Sequence, residues 1–144
     1  MPIEDLLTET SHNLFTIEPN RVVGDAIELL AGNDIGALPV CDAKKQVVGI
    51  ISERDIVRIC SGSDDNWKKL KISDIMKVQV VSATPGDKIR DIVRVMKEKR
   101  IRHVPVIENG ELVAMFSVRD LFSYLLKVTL KERDAMTMAY ETIR

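Results

Sequence analysis

The sequence predicts an α+β fold made of two copies of one small unit, and three observations carry this prediction. The first is an internal repeat, because residues 35–40 (IGALPV) return 66 positions later as residues 101–106 (IRHVPV). The second is the helical spacing of apolar residues that precedes each copy. The third is Asn109-Gly110, a dipeptide typical of a two-residue hairpin turn. The offset drops to 65 after the hairpin, where residues 52–55 match residues 117–120, so one residue is deleted in the connecting turn. This self-similarity predicts two units of the same supersecondary structure.

Each unit is expected to run β-α-β-β-α. A short extended segment ends at Pro19 or Pro85, and proline favours the first position of a following helix. The helical apolar positions match between the copies: Val23, Ala26, Ile27 and Leu30 against Ile89, Ile92, Val93 and Met96. Two short strands follow in each unit, at 37–41, 47–51, 103–107 and 112–116. Second helices then begin at Ser52 and Ser117, and the whole pattern predicts small mixed sheets covered by helices.

The repeat also sets the expected boundaries. Repeat one covers about residues 3–60 and repeat two about residues 71–126, joined by a polar linker over about 61–70. Residues 127–144 lie outside the repeats and are expected to form a helical extension, whose apolar positions fall roughly on one helical face. That face packs either on the chain's own repeats or on a partner, and the spacing alone favours neither.

Length and composition indicate one soluble domain. A chain of 144 residues, with 45% apolar and 30% charged residues, is large enough to bury a hydrophobic core. No apolar stretch approaches the roughly 20 residues that cross a bilayer, and the acidic start at residues 1–5 does not resemble a leader peptide. We therefore expect a cytoplasmic protein that does not enter the membrane. The spacing of the cysteines, His12 and His103 matches neither a metal site nor a disulfide framework.

Charge and motif content argue against two other classes of protein. Residues 1–67 hold 5 basic and 12 acidic side chains, whereas residues 68–144 hold 16 and 10. The basic half could bind an anion or dock on the acidic half. The chain has only one Trp, two Tyr and three Phe, none of them interleaved with the basic cluster, which argues against nucleic-acid binding. No nucleophile–base pair and no glycine-rich phosphate loop can be assigned, so we do not expect an enzyme.

The motifs of the repeat resemble those of the cystathionine-β-synthase (CBS) domain. Both copies carry a proline-containing strand, a hairpin and then Ser-x-x-Asp, at residues 52–55 and 117–120. The first copy has the family's glycine before this motif, Gly49, whereas the second has Ala114. Two copies in tandem resemble a CBS pair, or Bateman module, which implies a pseudo-two-fold arrangement with two clefts between the repeats. The resemblance further implies binding of an adenine nucleotide and regulation of another protein.

The resemblance assigns ligand-binding roles to residues of both clefts. In the first cleft Asp120 would bind the ribose and Ser117 the phosphate, since an ionised carboxylate and a hydroxyl suit these groups. The other residues of the first cleft are Arg102, His103, Arg119, Glu18, Ile35, Gly36 and Ala37. The residues of the second cleft are Asp55, Ser52, Thr84 and Ile101. Because Arg102 and His103 stand where the first copy has Gly36 and Ala37, we expect the first cleft to be the main site.

The same spacing has a purely structural explanation as well. Ser-x-x-Asp at the start of a helix also forms a capping box, so the aspartates could serve the helix ends alone. With the resemblance, we expect a regulatory module that binds AMP, ADP, ATP or NAD(H), needs no cofactor or metal, and acts as a homodimer on another protein. The alternatives are a structural or oligomerisation module without nucleotide, and a nucleic-acid binder that uses the basic half.

Overall fold

Six α-helices and four strands occur over residues 2–9, 14–62 and 65–143, which the computed structural model describes. The helices are α1 (Ile3–Glu9), α2 (Val23–Gly32), α3 (Glu53–Gly62), α4 (Ile72–Ile75), α5 (Ile89–Lys99) and α6 (Val118–Ile143). The strands are β1 (Ala37–Cys41), β2 (Val47–Ser52), β3 (His103–Glu108) and β4 (Glu111–Ser117), and a short 3-10 helix lies at Trp67–Lys69. The expected α+β class is confirmed, and the four predicted strands are present within one residue at each end.

Each unit contains one antiparallel hairpin. Ala37 lies opposite Ser52 in the β1–β2 pair, and His103 lies opposite Ser117 in the β3–β4 pair. The turn at Asn109-Gly110 has positive φ at both positions, 52° and 81°, as a type I′ hairpin turn requires. The common register therefore places the two candidate serines at equivalent positions, each at the end of a hairpin and the start of a helix.

The first strand expected in each unit is reduced to a single parallel bridge. Ile17 bridges to Val40 and Ala83 bridges to Val106, beside the two hairpins. Pairing stops there because a proline follows two residues later in both copies, and proline has no N–H to donate to a sheet. The predicted mixed sheet is therefore an antiparallel hairpin extended by one parallel bridge.

The two hydrophobic cores exchange their lead-in helices. One core contains Ile17, Val23, Ala26, Leu30, Leu38, Val40, Ile51, Ile56 and Ile72. The other contains Ile3, Leu6, Ala83, Ile89, Ile92, Met96, Val104, Val106 and Phe116. Ile3 thus packs in the core of repeat two, where its N–H also donates to the Asp87 carbonyl at 2.7 Å, and Ile72 packs in the core of repeat one. This exchange ties each repeat to the other.

The second helix of repeat two and the expected extension form one continuous helix, α6, of 26 residues. Val118, Leu121 and Tyr124 pack against the core of repeat two. Every residue from Lys131 to Thr142 is exposed. Within the described ranges, no helix combines the length and apolar character needed to cross a membrane.

Candidate nucleotide-binding clefts

Two clefts lie where the repeats meet, and they differ about tenfold in volume. The large cleft has a volume of about 1350 Å³ and lies between helices α2 and α3 of repeat one and the start of α6. The small cleft has a volume of about 130 Å³ and lies between the start of α3 and the segment that enters β3. The clefts share a wall made of Gly36, Ala37, Glu53, Arg102 and His103. A charge on this wall therefore acts on both sites.

The large cleft brings together nearly all the residues assigned to it by the sequence. Its lining contains Ser117, Arg119, Asp120, Arg102, His103, Ile35, Gly36 and Ala37. Glu18 is exposed and is not among the lining residues. The small cleft brings together Ser52, Asp55 and Ile101, but Thr84 is not in its lining. Thr84 instead donates from its N–H and hydroxyl to Asp87, at 2.8 and 3.0 Å.

Several lining residues were not anticipated from the sequence. Leu14 and Phe15 line the large cleft, and Val80 and Val81, 66 residues later, line the small one. The two pairs occupy equivalent positions in the two repeats. Comparing the repeats further upstream, before Pro19 and Pro85, would therefore have identified them. Helix α6 also contributes Phe122 and Leu126 to the large cleft. No motif marks these last two, because they lie beyond the Ser-x-x-Asp segment.

Both Ser-x-x-Asp segments form complete capping boxes. The N–H and the hydroxyl of Ser117 each donate to Asp120 Oδ2 at 2.9 Å, and the Asp120 N–H donates to Ser117 Oγ at 3.2 Å. Ser52 and Asp55 make the same three bonds, at 3.0, 2.9 and 3.3 Å. Both aspartates are 8% exposed. An ionised carboxylate can accept about four hydrogen bonds, so a carboxylate that caps a helix can still accept hydrogen bonds from a ligand.

The two clefts differ in the ion pairs beside their aspartates. Lys77 Nζ lies 3.5 Å from Asp55 Oδ1, inside the small cleft. In the large cleft Arg119 lies 3.8 Å from Asp34. Both members of that second pair are more than three-quarters exposed, so the attraction is weak. One carboxylate oxygen of Asp55 is therefore paired with an ammonium group, while Arg119 is held only loosely.

The shared wall is tightly packed around Gly36. A Cβ atom added there would lie 2.7 Å from Glu53 Oε1 and 3.0 Å from His103 Cε1, so only glycine fits without displacing one of them. Burial lowers the pKa of His103, although the carboxylates of Glu53 and Asp120 act in the opposite direction. The imidazole is therefore neutral at pH 7, and a neutral imidazole can donate one N–H to a ligand.

The described residues contain no group of three or more His, Cys, Asp or Glu side chains arranged to hold a metal ion. His12, which the sequence analysis also excluded as a ligand, lies outside the described residues. The linings of both clefts combine apolar side chains with hydrogen-bonding and charged ones. Such a mixture of apolar walls and a few polar groups is typical of sites that bind small molecules.

Comparison with known proteins shows the family of the chain. The sequence model of the CBS domain matches residues 3–62 and 72–127, so the chain belongs to the CBS-domain family and contains two such domains. The protein MJ1225 of Methanocaldococcus jannaschii is 28% identical over 124 residues, which is 86% of this chain. The chain spans 42% of the length of that relative.

Solved structures agree with this assignment. The CBS-domain protein ATU1752 of Agrobacterium tumefaciens has a TM-score of 0.80 and 32% identity, over 85% of this chain and 91% of its own. The CBS domain pair of protein MJ0100 has a TM-score of 0.76 and 25% identity, over 90% and 98% of the two chains. The latter structure is a complex with 5′-methylthioadenosine and S-adenosyl-L-methionine. Each protein is similar to this chain across both repeats.

Proposed function

We propose that this chain is a regulatory module that binds an adenine nucleotide in the large cleft. One observation above all supports the proposal: Asp120, Ser117, Arg102 and His103 line a single cleft together with the small residues 35–37. These side chains provide an acceptor for ribose hydroxyls, donors for phosphate and space for a flat base. The adenosyl ligands of the similar pair from MJ0100 support the same class of ligand.

Each part of a nucleotide has a counterpart in the cleft. The carboxylate of Asp120 accepts hydrogen bonds from the two ribose hydroxyls, and its charge strengthens them. The guanidinium of Arg102 binds phosphate oxygens with its planar set of N–H groups. The base lies against the apolar walls formed by Leu30, Ile35 and Ile56. Gly36 keeps the wall flat at the point where the base approaches.

The large cleft is favoured over the small one by its volume and by the ion pair that occupies Asp55 in the small one. Ligand pockets commonly have volumes of about 300–1,000 Å³, and 130 Å³ is well below that range. Lys77 also covers Asp55 at 3.5 Å, so a ribose would have to displace it. A nucleotide in the small cleft therefore requires movement of the Lys77 side chain.

The small cleft still contributes charge to a bound phosphate. Its lining contains Arg54, Lys77, Arg100 and Arg102 against Glu53 and Asp55, so it is formally positive. The large cleft has Arg102 and Arg119 against Asp34, Glu53 and Asp120. The shared wall itself carries one basic and one acidic side chain, Arg102 and Glu53. The phosphates of AMP, ADP, ATP or NAD(H) would therefore bind to Arg102 and to the basic lining of the small cleft beyond it.

We propose further that the module works in the cytoplasm, as a homodimer, by presenting its nucleotide-bound form to another protein. It has no catalytic role in this proposal. One observation favours a second candidate, a structural module without nucleotide. Asp55 and Asp120 already stabilise the starts of α3 and α6, because each accepts hydrogen bonds within a capping box. The two candidates differ in one outcome, which is whether the aspartates contribute to affinity as well as to stability.

A thermal-shift screen over AMP, ADP, ATP, NAD⁺ and NADH tests the proposal, with inosine monophosphate as a control for the base. Ligand at 100 times its Kd stabilises a native site by about 2.7 kcal/mol, which raises Tm by several degrees in a chain of this size. A rise with adenine nucleotides that persists in about 0.5 M salt, where exposed charges are screened, supports the proposal. No rise with any of them, at millimolar concentrations, favours the structural module. A rise with single-stranded DNA that salt abolishes favours the nucleic-acid binder.

A further inference from the structure

Helix α5 carries a row of three basic side chains on a face that points away from the core of repeat two. These are Arg90, Arg94 and Lys97, all exposed, and we call them the basic stripe. Successive residues of an α-helix are about 100° apart, which places the three within about 60° of arc, and no other residue of α5 falls there. Ile89 and Met96, which are buried in the core, lie about 80–100° beyond one edge of this arc. The stripe is therefore a solvent-facing surface of the helix.

The equivalent segment of repeat one has the opposite charge. Residues 88–100 contain six basic and two acidic side chains, a net charge of +4. Residues 22–34, which are 66 positions earlier, contain three acidic side chains and no basic ones, a net charge of −3. At the three positions of the stripe, repeat one has Gly24, Glu28 and Ala31. Because both helices occupy the same place in the same fold, the fold itself does not require basic residues at these positions.

Contacts within the chain account for little of the charge on the stripe. The helix dipole favours a cation in the last turn, where Lys97 lies, but disfavours one in the first turn, where Arg90 lies. Arg90 Nε lies 4.0 Å from Asp91 Oδ1, and the Arg90 side chain is 79% exposed, so this ion pair is weak. In the part of the chain that the structure describes, neither Arg94 nor Lys97 forms an ion pair. The charge of the stripe is therefore available to a partner.

The residues beside the stripe narrow the kind of partner. Asp91 and Glu98 lie next to it on the exposed surface, about 40–60° beyond Arg94. The backbone of a nucleic acid carries only negative groups, which these two carboxylates repel. A helix that binds an anionic membrane also inserts apolar side chains, whereas the large apolar residues Ile89, Ile92 and Met96 of α5 are buried. A polypeptide can place acidic side chains on the stripe and basic ones beside Asp91 and Glu98, so its charges complement the whole surface.

We propose that the basic stripe of α5 binds an acidic segment of the protein that the module regulates. The inference rests on the action on another protein proposed above, but not on nucleotide binding. Arg100, three residues after Lys97 and thus about 5 Å further along the helix axis, lines the small cleft. Exposed charges act on one another over about 10 Å at ordinary ionic strength. A segment bound along the stripe therefore ends close enough to the small cleft to respond to the charge of a group bound there.

An NMR titration of the isotope-labelled full chain with hexaglutamate, in the absence of nucleotide, tests the proposal. Amide resonances of residues 88–100 should shift with hexaglutamate and not with hexaglutamine. Shifts of equal size over residues 127–133, which are also basic in part, would show a response to charge alone and overturn the surface. A short DNA duplex or bicelles containing phosphatidylserine that shift residues 88–100 at lower concentrations than hexaglutamate would overturn the choice of partner. Shifts of the same residues on raising the protein concentration alone would mean that a second copy occupies the stripe, and would overturn it too.

Charge reversal completes the test. The triple variant of the stripe is Arg90→Glu, Arg94→Glu and Lys97→Glu. Its matched control reverses three exposed charges of α6: Lys127→Glu, Lys131→Glu and Arg133→Glu. The Kd for hexaglutamate should rise about ten-fold in the stripe variant and stay within about two-fold of the parent in the control.

A neutral triple variant, with glutamine at the three stripe positions, keeps the test valid if the reversed charges unfold α5, and its Kd should rise about three-fold. A folded stripe variant that binds hexaglutamate like the parent overturns the proposal. The stripe variants should keep the Tm rise that adenine nucleotides give in the parent. A parent without that rise contradicts the nucleotide site and leaves the hexaglutamate result unaffected, so the two failures are distinguishable.

Discussion

Gly49 of strand β2 lies so close to the segment that enters repeat two that an alanine there must displace it. A Cβ atom at this position would lie 2.5 Å from Met76 Sδ and 3.0 Å from the carbonyl oxygen of Lys77. Met76 is half-buried and can change its rotamer. The Lys77 carbonyl has less freedom, because it accepts from the Ile50 N–H at 3.0 Å and the Lys77 N–H donates to the Ile50 carbonyl at 2.9 Å.

The expected cost of Gly49→Ala follows from this geometry. Inserting a methyl group into a packed site destabilises the folded protein by about 1–3 kcal/mol. Replacing glycine by alanine offsets about 0.4–1 kcal/mol of this, because it lowers the conformational entropy of the unfolded chain. We expect a net loss of about 1–2 kcal/mol in the free energy of unfolding. In a chain of this size each kcal/mol lowers Tm by about 3–4 °C, so Tm should fall by about 3–8 °C.

Urea and thermal unfolding measure this effect, and the chain offers two internal controls. The second repeat has Ala114 at the equivalent position, where alanine is accommodated. In addition, Gly49→Ala in a Met76→Ala background should cost less than it does alone, because the closest atoms are gone. An unchanged or higher Tm for Gly49→Ala would show that the backbone at Lys77 moves aside without cost and would contradict this prediction.

Two further predictions concern His103 and Arg100. Burial holds the pKa of His103 below its ordinary value. The contribution of His103 to the free energy of unfolding is therefore fully present above the unfolded pKa of about 6.5 and is lost as the pH falls from there to the folded pKa. His103→Gln should flatten this part of a plot of Tm against pH, and an unchanged slope would contradict the assignment. Arg100 ends α5 in the left-handed region at φ 55°, so Arg100→Gly should raise the free energy of unfolding by about 1 kcal/mol, whereas Arg100→Ala, which keeps the strain, should not.

The sequence predicted local structure well because the signals for it are local. The strand boundaries follow from the paired prolines and serines, and Asn109-Gly110 determines its own turn through two residues that tolerate positive φ. Ser-x-x-Asp likewise determines its own geometry over four residues. Each of these features depends on neighbours in the chain, so a single sequence is enough to find it.

The exchange of α1 and α4 between cores could not be predicted in this way. Ile3 and Ile72 begin similar short helices, and nothing in their local pattern says which core each helix joins. The same limit applies to the clefts: Lys77 reaches Asp55 only because its backbone pairs with Ile50. Contacts between segments distant in sequence depend on the packing of the two repeats, which periodicity does not encode.

Titration calorimetry of an adenine nucleotide against three aspartate variants tests the central proposal most directly. Asp120→Ala removes hydrogen bonds to a charged acceptor that are worth about 1.5–3 kcal/mol each, so affinity should fall at least ten-fold. Asp55→Ala should bind within about two-fold of the parent. Asp87→Ala, which removes a similar cap at Thr84 outside both clefts, should lower Tm without changing affinity.

Asp120→Asn completes the comparison, because the amide keeps an oxygen for the helix cap and removes the charge. We expect this variant to stay folded, with a Tm close to that of the parent, and to bind nucleotide several-fold more weakly. If Asp120→Asn and Asp120→Ala bind like the parent and only melt earlier, or if Asp55→Ala alone abolishes binding, the large cleft is not the nucleotide site.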